Sequence, residues 1–423
     1  MDYSIQRDTY LGIPKCYKAQ SVENLDAAGI LPLLNAYPLS LDGQGVLILI
    51  PDEPGIHAER MRRIVQEAAP GAQVRVVELP DAPKELKDFF FIPEDVYVIS
   101  EEDILALLDS YEEYEEPLVI CFPLGSNNGS HQGDSVLSAR LNQLALRPRN
   151  AVVVAMGNEA VNSHHFKGTM TSFLNPRKVE ILVPDGLDGF YLELWTLPPE
   201  RCEVTIQSPT GELSTRGTGF APENITYTFL FEKTTVSIDY RDVGVSNREQ
   251  LVFIRFIGPI GGIWTINVYP KFSLNGVFHI WLPMKGLLKK DVVFLEPDPE
   301  NTLTMPSDSR SVISVGGVDA EKQTVFLESG RGFAVDGAVK PDFLAPCRED
   351  RFLGTSVAAG IAAGGAAIVL QWALERGDSE AINSVDIKNF LIRGCTRRED
   401  VVYPNPAEGY GNLNVFDSFL SLK

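Results

Sequence analysis

Cysteine is scarce in this chain. Five are present in 423 residues (Cys16, Cys121, Cys202, Cys347 and Cys395), an odd number lying far apart. They show neither metal-ligand spacing nor a disulfide framework, so the expected setting is reducing and cytoplasmic, with no metal and no cofactor. Basic residues are also short: 37 Lys and Arg stand against 57 Asp and Glu, a formal charge of −20. Such a surface repels polyanions, which excludes nucleic acid and anionic membranes as expected partners. No apolar run reads as long enough to span a bilayer. The first eight residues, Met1 to Asp8, lack the basic and apolar regions of a signal peptide. Internal repeats and low-complexity segments are missing too.

What is present is a globular composition, with 44% hydrophobic residues and room for two or three domains. Residues 45–50 are a continuous apolar run, as for a strand buried on both faces of a parallel sheet. Met61, Ile64, Val65 and Ala68 then recur at helical spacing, with Glu59, Arg60, Arg62 and Arg63 opposite. Residues 73–79 are strand-like again, completing a β-α-β unit. An acidic helix over 101–113 and strands at 118–122 and 151–155 continue the alternation, which predicts an α/β sheet with helices on both faces. From about Lys178 to Pro283 the texture changes to short runs of two-residue period separated by turn clusters. That stretch reads as an inserted antiparallel β domain, jelly-roll-like or a similar sandwich. Residues 312–316 then return to the buried-strand pattern.

The segment Gly354-Thr355-Ser356-Val357-Ala358 opens a helix made almost wholly of Gly and Ala up to Ala367. A serine there sits at the positive end of the helix dipole, and the small side chains let the helix press against neighbouring backbone. Upstream, Met156-Gly157-Asn158-Glu159 follows a strand, and Lys340-Pro341-Asp342-Phe343-Leu344-Ala345-Pro346 precedes the serine, with Cys347 after it. Together with Leu124-Gly125-Ser126 and Ser329-Gly330-Arg331-Gly332, these motifs resemble, in order, those of the subtilisin-like serine proteases, the subtilases. In the family, Gly rather than Cys follows the Ala-Pro pair. The long insert, residues 127–133, His164-His165 and Gly409-Tyr410-Gly411 resemble the Csp-type subgroup of clostridia and relatives. The resemblance spans about Ala27 to Leu422. It implies an N-terminal segment over 1–43, a subtilase domain split into 44–177 and 301–423, and an inserted β sandwich over 178–300.

Subtilases carry Asp, His and Ser in that chain order. The resemblance maps these onto Asp52, His57 and Ser356, gives Asn158 the oxyanion-hole role, and makes Leu124, Gly125 and Ser126 the strand that takes substrate backbone. The substrate class implied is a protein or peptide. Only Asp52 matches in its motif, followed by Glu53-Pro54-Gly55, and only His57 in its own, followed by Ala58-Glu59. The family's long excursion between Asp and His is absent. Two functions therefore stand open at this point: a serine endopeptidase, or a pseudoprotease that binds a partner or signal without cleaving. Pro54 bears on the choice, since its fixed φ could swing His57 outward. His131 and the His164-His165 pair are expected in structural roles, because adjacent histidines point in different directions and no acidic or Cys partner sits at ligand spacing.

Overall fold

The computed structural model describes residues 19–35, 41–243, 249–375 and 381–422. Cys16 and the first eight residues lie outside them. The main sheet has seven strands. Its first four are β1 (Leu47–Asp52), β2 (Gln73–Glu78), β3 (Leu118–Phe122) and β4 (Asn150–Ala155), paired in the order β2-β1-β3-β4, all parallel. Next to β4, also parallel, comes Ile313–Asp319, to which Phe343–Pro346 adds in parallel and Thr324–Val325 in antiparallel fashion. β1, β3 and β4 are buried along their whole length, as their unbroken apolar sequence requires. β2 lies at the edge and alternates between exposed and half-buried positions. β1 runs two residues further than the apolar pattern suggested, through Pro51 to Asp52, because Asp52 still pairs with Glu78.

The helix Thr355–Glu375 runs through the centre of the larger core, and eighteen of its residues are buried. This corrects the expectation about apolar runs: at 21 residues and a mean hydropathy of 1.8, the helix is long and apolar enough to cross a membrane. The relevant window is 89% buried inside the protein, so its apolar surface is already covered by protein. Its lack of amphipathic patterning follows from being surrounded.

Between the two parts of this domain lie two antiparallel sheets. One has six strands: His165–Thr169, Val277–Trp281, Gly189–Thr196, Glu249–Ile257, Thr235–Val243 and Glu223–Thr228, in that spatial order. The other has four: Val293–Phe294, Arg177–Val183, Gly262–Phe272 and Arg201–Gln207. They share one core in which Phe190, Phe256 and Trp264 pack ring against ring. The antiparallel architecture therefore begins about a dozen residues before 178. His165–Thr169 pairs with Val277–Trp281, which is more than 100 residues away in sequence, so no local pattern marks it.

Candidate active site

β1 delivers Asp52 to the C-terminal edge of the sheet, where its carboxylate is fully buried. The backbone N–H of Glu53 donates to Oδ1 at 2.8 Å, fixing the carboxylate's rotamer. The chain must then turn sharply into the helix Ile56–Ala68. Gly55 makes that turn as the N-cap, with φ 124° and ψ −149°, a conformation open to glycine and strained for any other residue. Pro54 thus does not swing His57 outward; Gly55 absorbs the change of direction. His57, in the first turn, places Nδ1 2.8 Å from both oxygens of Asp52. A carboxylate only accepts, so Nδ1 carries the proton and Nε2 is left with its lone pair. That Nε2 stands 3.3 Å from Ser356 Oγ. The missing excursion costs no geometry, because the end of a strand and the start of the next helix are already neighbours.

Ser356 lies in the first turn of its helix, where backbone N–H groups have no intrahelical partners. Two glycines on this helix let it approach the His57 helix. A Cβ on Gly360 would meet Met61 and Ile64 at 3.0–3.1 Å, and one on Gly364 would lie 2.3 Å from Ala68 Cβ. The small-residue composition read from the sequence is thus what brings serine and histidine together.

Asn158 follows β4 through Gly157, which has φ 82° and packs against the Thr304 side chain. Its Oδ1 accepts from the N–H of Thr355 at 3.0 Å and from Thr355 Oγ1 at 3.2 Å. With Oδ1 engaged at the residue before Ser356, the Nδ2 hydrogens are the donors that remain. Glu159, next in sequence, is buried, and sequence reasoning gave it no role. Its carboxylate accepts from His164 Nδ1 at 2.6 Å, Asn127 Nδ2 at 3.3 Å, Asn162 Nδ2 at 3.1 Å and the Lys285 N–H at 3.2 Å. It ties the Asn158 turn to the β domain. Position beside Asn158 is the only signal in the sequence that could have pointed to it.

Leu124, Gly125 and Ser126 continue from β3. Ser126 is committed on both backbone groups, donating to and accepting from Met305. Leu124 and Gly125 line a cavity of about 570 Å³ with a largely apolar wall that includes Phe90, Tyr97, Ile104 and Tyr191.

His131, His164 and His165 take structural positions. His131 stacks on Trp281, with ring centroids 4.0 Å apart, and its Nε2 donates to Asn127 O. His165 turns away from its neighbour to place Nε2 3.0 Å from His279 Nδ1. Burial pushes His131 down to about 4 and His165 to about 3, so both imidazoles are neutral at ordinary pH. Among the described residues, no group of three or more His, Cys, Asp or Glu is placed to hold a metal ion.

Residues 295–412, which include Ser356 and Asp342, match the subtilase family, the S8 peptidases. The chain is similar to a subtilase domain over that stretch. Its fold is that of the CspB protease of Clostridium perfringens: TM-score 0.80 at 22% identity, over 95% of this chain and 99% of that one. Two further solved structures are more distant. The prenylagaramide maturation protease PagA gives a TM-score of 0.48 at 12% identity, over 93% of this chain and 99% of that one. A lanthipeptide protease gives 0.43 at 11%, over 96% and 97%. No curated protein sequence matches. The family match begins after the antiparallel sheets and leaves out Asp52, His57 and Asn158, whose positions come from the fold.

Proposed function

We propose that the protein is a serine endopeptidase acting on protein or peptide substrates. The observation that carries this reading is the continuous line from the Asp52 carboxylate through His57 to Ser356 Oγ, at 2.8 and 3.3 Å. In this reading Ser356 Oγ attacks the scissile carbonyl while His57 Nε2 takes its proton. Asp52 holds the Nδ1–H and stabilises the imidazolium. The oxyanion is received by Asn158 Nδ2 and the Ser356 N–H. His57 then protonates the leaving amine, and water resolves the acyl-enzyme by the same steps. Substrate backbone lies along Leu124 and Gly125, and the adjoining cavity takes a bulky apolar side chain.

The pseudoprotease alternative rested on the altered neighbours of Asp52 and His57 and on the missing excursion between them. Those changes leave both side chains within hydrogen-bonding distance, which favours the enzyme. Cytoplasmic residence belongs to the same proposal; four buried free thiols, Cys121, Cys202, Cys347 and Cys395, support it. The test is incubation of the purified protein with an unfolded protein substrate, following new termini by mass spectrometry. Cleavage that disappears in Ser356→Ala supports the proposal; cleavage that persists there, or none in the wild type, contradicts it.

A further inference from the structure

Arg60 stands three residues after His57 on the same helical face. The Arg60 guanidinium lies over the ring of Phe352, with Cζ 4.2 Å from the centroid. The same ring meets the His57 imidazole edge-on, centroids 6.2 Å apart at 69°. Arg60 Nε is 3.2 Å from Oε2 of Glu349, and Arg63, one turn along the helix, pairs with the other oxygen. Glu349 is 3% exposed while the two arginine side chains keep 25% and 39% of their surface in solvent. One buried carboxylate thus serves two half-solvated cations, a geometry that fixes the helix face without burying an unpaired charge.

Glu349 and Phe352 belong to a two-stranded hairpin, Arg348–Glu349 paired with Phe352–Leu353. Gly354, Thr355 and Ser356 follow at once, and the Gly354 N–H donates to Cys347 O at 3.0 Å. The hairpin is therefore attached to the serine by two residues of chain, to the His57 ring by Phe352, and to the histidine's helix by the Glu349 ion pairs. His57 has 22% of its side chain exposed, and Phe352 meets its ring edge-on.

We propose that Arg60, Phe352 and Glu349 are positioning residues that hold the His57 imidazole in register with Ser356. This rests on the serine-peptidase reading of the same site. Loss of these residues acts through ring orientation, and a small misplacement of a catalytic base costs about tenfold to a hundredfold in rate.

Two readouts separate this proposal from the reading it rests on. The first is the nitrogen-bound proton resonance of His57 Nδ1 in the full-length protein, which reports the ring's bond to Asp52 whether or not the protein is an enzyme. The second is the rate of Ser356 labelling by a fluorophosphonate, together with kcat and KM on a cleaved peptide. The variants are Glu349→Gln, Phe352→Leu and Arg60→Lys; the last keeps the charge and fold and loses the planar stack. In each, the His57 resonance is expected to shift or broaden and kcat and labelling to fall at least about tenfold, with KM within about twofold. An unmoved resonance in folded variants overturns the proposal, whether or not labelling slows. If the resonance moves but the wild type never labels, the positioning stands and the peptidase reading fails. Wild-type labelling rates in all three folded variants also overturn it.

Discussion

A Cβ on Gly364 would stand 2.3 Å from Cβ of Ala68, so the serine helix and the histidine helix touch through backbone. Ser356 and His57, 299 residues apart in sequence, meet because these two helices can approach that closely. Gly364→Val is therefore expected to push the helices apart. Overpacking of this kind costs about 1–3 kcal/mol or more. Thermal unfolding would register the loss, and fluorophosphonate labelling should slow in the fraction that remains folded. A variant with wild-type stability and labelling would mean that this contact does not set the site.

Asn158→Leu keeps the side chain's volume and removes its donors. If Nδ2 stabilises the oxyanion, kcat falls about a hundredfold to a thousandfold with KM little changed. Steady-state kinetics on one peptide decide it. A rise in KM at constant kcat would assign Asn158 to substrate binding instead.

Glu159→Gln replaces one acceptor oxygen with a donor facing His164, Asn127, Asn162 or the Lys285 N–H. At least one buried donor then loses its partner, at about 1–3 kcal/mol. Urea denaturation measures that loss. The companion variant His164→Gln should be milder if the carboxylate is the hub, because three of its four bonds survive.

Glu249 gives a pH dependence of defined sign. Burial, with Asp134 nearby, pushes its carboxyl up from 4.5 to about 7. A raised carboxyl contributes most below its unfolded pKa, and that contribution is lost as pH rises through 7. Glu249→Gln mimics the protonated form. Its stability relative to wild type should therefore increase between pH 5 and pH 8, by about 2 kcal/mol, since each pKa unit is worth ~1.4 kcal/mol. Urea melts at the two pH values test this; a gap that narrows with rising pH contradicts it.

The parts of this molecule that could be read from sequence are those where local pattern and structure coincide. The apolar runs of β1, β3 and β4, the Gly- and Ala-rich serine helix and the Asn158 turn all announce themselves in a few consecutive residues. Asp52 and His57 were legible as residue types at the right ends of a strand and a helix, but their distance depended on Gly55, whose φ no pattern reveals. What the sequence hid are the long-range contacts. Nothing local links Glu349 to Arg60 and Arg63, or Glu159 to Lys285. The strand His165–Thr169 stayed hidden because its partner, Val277–Trp281, lies so far along the chain. Of the arginines after His57, Arg60 and Arg63 turn to Glu349.

The central claim is that Ser356 is an activated nucleophile, and fluorophosphonate labelling followed by peptide mass spectrometry tests it most directly. An unactivated serine does not react, so accessibility alone produces no adduct. The account predicts one adduct, on Ser356, formed by the wild type and lost or greatly slowed in His57→Ala. A folded wild-type protein with no adduct at Ser356, or a His57→Ala variant that labels at the wild-type rate, would contradict it.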